Sequence, residues 1–222
     1  MRMRHAAVTP LVALIVGTLA ACGGTTASGG SGGSGSASGT VASTTFTVAS
    51  QFAGVQSASG SETCSGSTDG GSTCTSTSSG QVVGILLTNR GDATCAFVQG
   101  EAASSSNDEL ASLDVLQLAV VAPTGTVAAG TYAIAPPSAT ASGAEALFGT
   151  STPTCTSALN LTATSGTITF TQVTASNVTG TYSATFGTQG TFTGSFDVDI
   201  CTLPDAGNTS TVVDAGQPVC RP

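Results

Sequence analysis

The stretch GTITFTQVTASNVTGTYSATFGTQGTFTGSFDVDIC, residues 166–201, decides the fold of this chain. Near its end, Phe192 and Phe196 alternate with polar residues, and the preceding segment repeats this alternation around Tyr182. Successive side chains of a strand point to opposite faces of a sheet, so both segments predict strands with one buried face and one solvated face. Residues 188–190 supply a turn between them, because Gly190 tolerates the positive φ of a tight hairpin. We therefore predict a β-meander.

Shorter runs rich in Thr and Val precede the meander and are bounded by turn residues. We predict further strands in TFTVASQF (45–52), QVVGILLTN (81–89), TCAFVQG (94–100), LDVLQLAVVAP (113–123), GTYAI (130–134), EALFG (145–149) and ALNLTAT (158–164). Residues 106–121 are ambiguous, because Asn107 is also a suitable N-cap for a helix with leucines on one side. We predict a strand from Leu113, with room for a helical turn before it.

The spacing of these segments bounds the architecture. About ten short strands separated by turns every 8 to 14 residues or so are typical of an all-β domain. The prediction is an antiparallel β-sandwich or a small up-and-down β-barrel, and the sequence pattern leaves both open. We place this single domain at residues 44–202 and an irregular C-terminal tail at residues 203–222.

Six of the seven cysteines lie in the domain and its tail: Cys64, Cys74, Cys95, Cys155, Cys201 and Cys220. An even number in an exported domain predicts disulfides. Zinc binding is disfavoured, because the chain has no C-x-x-C pair and its one histidine is His5. Cys64 and Cys74 are our best single pair, since Asp69-Gly70-Gly71 between them predicts a turn.

The N-terminus carries the pattern of an export signal. Arg2 and Arg4 precede a short apolar run that ends in Leu19-Ala20-Ala21-Cys22, which reads as a bacterial lipobox. The run is shorter than the roughly 20 apolar residues of a membrane-spanning helix. We predict a cleaved signal peptide at residues 1–21 and a lipid on Cys22. The lipid is then the chain's contact with the membrane, and the absence of Asp after Cys22 favours the outer membrane.

Residues 22–43 are predicted to be the lipidated cysteine and a flexible tether. The segment from Gly23 to Thr40 is GGTTASGGSGGSGSASGT, without a large apolar side chain. A Gly/Ser chain of this length has a root-mean-square reach of roughly 25 Å. The tether would hold the domain clear of the lipid headgroups.

The charge of the chain excludes several functions. Without the signal peptide, two arginines stand against 12 acids, which gives a net charge of −10, and neither lysine nor histidine is left. Such a chain lacks the basic surface that nucleic acids require. Without histidine or lysine it also lacks the usual bases of nucleophilic hydrolysis. We predict no enzyme activity, no cofactor and no metal.

Three local motifs have ordinary structural interpretations that we prefer. Asp197 and Asp199 share a strand face, which suits solvation better than glycoside hydrolysis or calcium binding. The tripeptide Arg90-Gly91-Asp92 matches an integrin-binding motif but also fits a turn, in which Arg90 can pair with an acid. The Asn160, Asn177 and Asn208 sequons carry little weight behind a bacterial lipobox.

The run of residues 166–201, which ends in Cys201 and is preceded by GTYAI and Cys155, resembles the cysteine-bounded β-meanders of uncharacterised bacterial envelope lipoproteins from GC-rich genomes. The resemblance covers the segment from Leu113 to Cys201. This resemblance implies a small β domain on a lipid anchor. It implies no activity, and it transfers no functional residues to this chain.

Two functional hypotheses remain. The first is a monomeric, non-enzymatic envelope lipoprotein that acts as a structural or protein-interaction module, with its protein partner and any ligand-binding residues unknown. The alternative is a carrier of small apolar ligands, in which a closed barrel has a cavity lined by aromatic residues. That lining would be Phe170, Tyr182, Phe186, Phe192 and Phe196.

Overall fold

The computed structural model describes residues 34–66, 72–93, 95, 109–135, 142–154, 156–201 and 220–221. Its named elements are strands, apart from one 3-10 turn at Gly187–Gln189. The strands are β1 Ser36–Val41, β2 Thr44–Thr45, β3 Ser50–Gly66, β4 Ser72–Thr88, β5 Glu109–Leu110, β6 Asp114–Ala122, β7 Gly130–Ala133, β8 Gly143–Ser151, β9 Ser157–Thr162, β10 Ser165–Val173, β11 Asn177–Thr185, β12 Gly190–Asp199 and β13 Cys220–Arg221.

Two open antiparallel sheets pack against each other. The six-stranded sheet has the order β2-β1-β12-β11-β10-β7, and the five-stranded sheet has the order β3-β4-β6-β8-β9. A separate parallel pair joins β5 to β13. Apart from this packing, the described strands of the two large sheets are joined by two isolated bridges, Ala53 with Ile200 and Ile134 with Ala144. The ladder of hydrogen bonds therefore does not continue around the molecule, so the sandwich prediction is confirmed and the closed barrel is wrong.

The core lies between the two sheets and follows the alternation of their strands. Phe148 of β8 meets Phe192 of β12 edge-to-face, with ring centroids 4.9 Å apart. Phe46 lies against both rings at 5.8 Å. Edge-to-face packing of aromatic rings adds about 0.5–1.5 kcal/mol per pair to the burial of their surface. The meander strands β10, β11 and β12 are confirmed, and their predicted apolar face is the face that packs in this core.

Most of the other predicted strands are also confirmed. LDVLQLAVVAP forms β6, which pairs with β4 on one side and β8 on the other, so the strand prediction holds against the helix. GTYAI, EALFG and ALNLTAT contain β7, β8 and β9. TFTVASQF is only partly a strand, because β2 ends at Thr45 and β3 begins at Ser50. TCAFVQG lies outside the described residues except for Cys95.

The predicted tether is wrong over its last residues. Ser36–Val41 forms β1, which pairs with β12 along its whole length and with β2 through a two-residue loop. The ordered domain thus begins before residue 44. Glycine makes this close approach possible, because a Cβ atom on Gly194 would lie 1.9 Å from the carbonyl oxygen of Ser36. Val41 at the end of β1 is fully buried, which fixes the strand in place.

Candidate interaction surface

The strands β3 and β4 continue together beyond the five-stranded sheet. β6 pairs with β4 over residues 81–88 only, whereas β3 and β4 stay paired out to Gly66 and Ser72. Residues 57–66 and 72–80 therefore form a two-stranded ribbon, which we call the arm. Among the strands that the structure describes, none pairs with the arm from outside. At about 3.3 Å per residue, the arm spans about 30 Å.

The arm is built from small polar residues. Its strands read SASGSETCSG and STCTSTSSG, and Glu62 is their only charged residue. Register shifts at Ala58/Ser59 and Ser59/Glu62 interrupt the ladder near its base. Such bulges increase the local twist of a strand pair. What the arm offers chemically is main-chain N–H and C=O groups along two outer edges, the groups to which another strand can bind.

Beside the opposite end of β4, the Arg90-Gly91-Asp92 tripeptide forms a turn, as predicted. Arg90 Nε donates to Asp92 Oδ1 at 2.9 Å, Nη2 donates to Oδ2, and Nη1 donates to the Ala111 carbonyl at 2.7 Å. These hydrogen bonds hold the pKa of Asp92 below its usual range. Thr88 Oγ1 donates to the Arg90 carbonyl at 2.9 Å, which fixes the turn to β4. The guanidinium and the carboxylate of the motif are thus engaged with each other.

Asp197 and Asp199 lie on the outward face of β12, as predicted. Asp197 is exposed, and its Oδ1 accepts a hydrogen bond from Asn177 Nδ2 at 3.0 Å. Glycosidases place their two carboxyl groups on either side of the scissile bond. Two carboxylates side by side on one strand do not provide that geometry. In the part of the chain that the structure describes, no three His, Cys, Asp or Glu residues lie together as a metal site.

The outward face of the six-stranded sheet is covered by hydroxyl groups that bond one another across strands. The pairs are Ser36–Ser195, Ser38–Thr193, Thr131–Thr169, Thr171–Thr179 and Thr185–Thr191, with Oγ–Oγ distances of 2.8–3.0 Å. A hydroxyl becomes a nucleophile when a base removes its proton. The hydrogen-bond partners of these hydroxyls are other hydroxyls and, for Ser36 and Ser38, main-chain groups of β12. The arrangement therefore links neighbouring strands of the sheet.

The aromatic residues proposed to line a cavity pack against other rings. Phe170 lies 5.7 Å from Phe196, and Phe186 lies 6.1 Å from Phe192, all with exposures of 3% or less. The Tyr182 hydroxyl donates to the Ser36 carbonyl at 3.1 Å, and burial raises the pKa of this phenol. These side chains thus form the interior of the sandwich and link it to β1.

The structure contains a disulfide that the sequence did not single out. Cys95 bonds to Cys201, with Cα atoms 5.6 Å apart and a separation of 106 residues along the chain. The Cys201 amide donates to the Ala53 carbonyl at 2.7 Å, at the edge of β3. The disulfide therefore ties the end of the meander to the five-stranded sheet.

The structure describes some of the other predicted cysteines and leaves others outside the described residues. Cys64 and Cys74 lie directly opposite each other in the β3–β4 register. Cys220 lies in β13, opposite Glu109 of β5. Cys155 and the lipidation candidate Cys22 are outside the described residues, as are the signal peptide and Asn208. Within the described ranges, the structure has no helix long and apolar enough to cross a membrane.

Sequence reasoning missed the two features that shape this surface, the arm and strand β1. Both are built mainly from Ser, Thr, Gly and Ala, so neither shows the alternation of large apolar and polar residues that marks a half-buried strand. The repeated Ser/Thr positions on both sides of Asp69-Gly70-Gly71 were the available signal for a longer hairpin. Comparisons of the chain with protein-family models, curated proteins and solved structures gave no match.

Proposed function

We propose that this chain is a lipid-anchored, non-enzymatic lipoprotein of the bacterial cell envelope, and that its β domain is a protein-interaction module. The arm is the observation that carries the proposal. It extends past the sheet that supports it, and an extended partner segment can add to either of its edges by main-chain hydrogen bonds. The lipobox at Cys22 supports attachment to the membrane, with the outer membrane as the preferred location.

Attachment is tested with Cys22→Ser in cells that express the full chain. The unchanged protein is expected to partition into the detergent phase of a phase-separating detergent extract and to incorporate labelled palmitate. The Cys22→Ser variant is expected to do neither, because it lacks the thiol that forms the thioether. Equal partitioning of the two proteins would contradict the lipoprotein proposal.

The role of the arm is tested by removing it at a position that preserves the hairpin. Residues 58–80 are replaced by Asn-Gly, because Ser57 and Gln81 are register partners and this dipeptide suits a two-residue hairpin loop. Photo-crosslinkers at Ser61 or Ser76 are expected to capture one discrete envelope protein, whereas a crosslinker at Thr169 on the hydroxyl face captures none. The arm-deleted chain, carrying a crosslinker at Val82, should lose this product while its urea midpoint stays unchanged. Equal capture at Thr169 would overturn the proposal.

A further inference from the structure

The cysteines that the structure describes lie at two distant ends of the molecule. Cys64 and Cys74 lie in the outer part of the arm. The Cys95–Cys201 disulfide lies near the far end of the five-stranded sheet, where Ser50 pairs with Thr88 and Ser50 Oγ donates to the Ala93 carbonyl at 2.6 Å. Along β4, the 14 steps from Cys74 to Thr88 span about 46 Å. A disulfide needs Cα atoms within about 7 Å, so the two groups cannot exchange partners.

The register of the arm brings Cys64 and Cys74 within the required distance. Directly opposite residues of an antiparallel pair have Cα atoms about 4.5–5.5 Å apart. Disulfides span about 4.4–6.8 Å between Cα atoms, and Cys95–Cys201 spans 5.6 Å. An isolated two-stranded ribbon is marginally stable in water, so a covalent link near its tip supplies stability that packing does not. We propose that Cys64 and Cys74 form a disulfide across the arm.

The disulfide across the arm forms by exchange with an oxidase of the cell envelope. This oxidase is a protein whose reactive pair of cysteines is in the disulfide form. One cysteine thiolate attacks that disulfide, giving a mixed disulfide, and its partner thiolate then attacks the mixed disulfide. The sulfur–sulfur bond of the oxidase breaks and the one in the arm forms. Two electrons pass to the oxidase, which leaves as a dithiol, and the two protons of the original thiols are taken up by it.

The test relies on the small number of basic residues in the chain, because trypsin cleaves after them. After export, Arg90 and Arg221 are the only basic residues, and Pro222 protects Arg221 from trypsin. The full lipidated chain is unfolded with N-ethylmaleimide present, so that free thiols are blocked, and is then cut by trypsin without reductant. We expect two separate fragments, and the one that ends at Arg90 should carry no maleimide. Fragments that stay linked, or maleimide on Cys64 and Cys74, would overturn the arm disulfide.

A second protease separates all six cysteines from one another. Cleavage before each aspartate puts every domain cysteine on its own peptide, with Cys64 before Asp69 and Cys74 after it. We expect Cys64 linked to Cys74 and Cys95 linked to Cys201. A link from Cys64 or Cys74 to any other cysteine would overturn the arm disulfide. The matched control is the Cys64→Ser variant. In its trypsin digest, the fragment that ends at Arg90 should carry one maleimide, on Cys74.

Discussion

At the residue scale, the loop between β1 and β2 holds two non-glycine residues in an unfavourable conformation. Ala42 and Ser43 have φ values of +49° and +65°. Two positive φ values in a two-residue hairpin loop define the turn type that favours Asn-Gly. A left-handed conformation costs a non-glycine residue about 1–2 kcal/mol.

We expect Ser43→Gly to raise the free energy of unfolding by about 1 kcal/mol, because glycine adopts positive φ without strain. Urea denaturation measures this change as a higher midpoint with an unchanged slope. Ser38→Gly is the matched control, since the same change inside β1 should lower stability by about 0.5–1 kcal/mol. If Ser43→Gly lowered the midpoint as Ser38→Gly does, the turn would contribute no strain.

The Glu145 carboxyl is half-buried on the outer face of the five-stranded sheet, and burial raises its pKa. A carboxyl with a raised pKa binds its proton more readily in the folded state, so its contribution to stability falls as the pH rises through that pKa. Glu145→Gln should therefore be more stable than the unchanged chain at pH 7, by less than about 1 kcal/mol because the site is partly solvated. Below the ordinary carboxyl pKa the difference should vanish. Paired urea titrations at pH 7 and pH 3 measure it, and an equal gain at both values would contradict the cause.

At the element scale, how well the sequence predicts a strand depends on the size of its apolar residues. In β12, Phe192, Phe196 and Val198 share one face of the strand with Gly194, and the core uses that face. In β1 the same positions are held by small residues, and the strand forms because Gly194 lets its backbone approach β12. The choice between sandwich and barrel was open for another reason. The strands of both architectures have the same alternation of apolar and polar residues, and only the pairing of the edge strands distinguishes a sandwich from a barrel.

The contribution of β1 can be measured by truncation. A chain that begins at Thr44 lacks β1, leaves the edge of β12 without its partner and removes the fully buried Val41. Burying a valine contributes about 1.5–3 kcal/mol, so we expect this chain to lose at least about 2 kcal/mol relative to one that begins at Ser34. Urea midpoints of the two chains make the comparison. Equal midpoints would show that β1 is not part of the stable domain.

At the scale of the whole molecule, the cysteines divide between local and global roles. The sequence pointed to Cys64 and Cys74 because a turn lies between them, which is a local signal. It could not select Cys95 with Cys201, because 106 residues separate them and their proximity depends on how the two sheets pack. The proposed Cys64–Cys74 disulfide would close a short loop outside the sandwich, whereas Cys95–Cys201 spans most of the domain. Their removal should therefore affect stability differently.

Replacing Cys95 and Cys201 together with serine should lower the free energy of unfolding by about 4 kcal/mol, since a link across about 100 residues strongly restricts the unfolded chain. Replacing Cys64 and Cys74 together is the control. We expect it to leave the global urea midpoint nearly unchanged and to speed proteolysis within the arm, because the arm can open while the sandwich stays folded. Both double variants retain four of the six cysteines of the domain and its tail. If both pairs shifted the global midpoint equally, the arm would unfold together with the sandwich and would not be a separate unit.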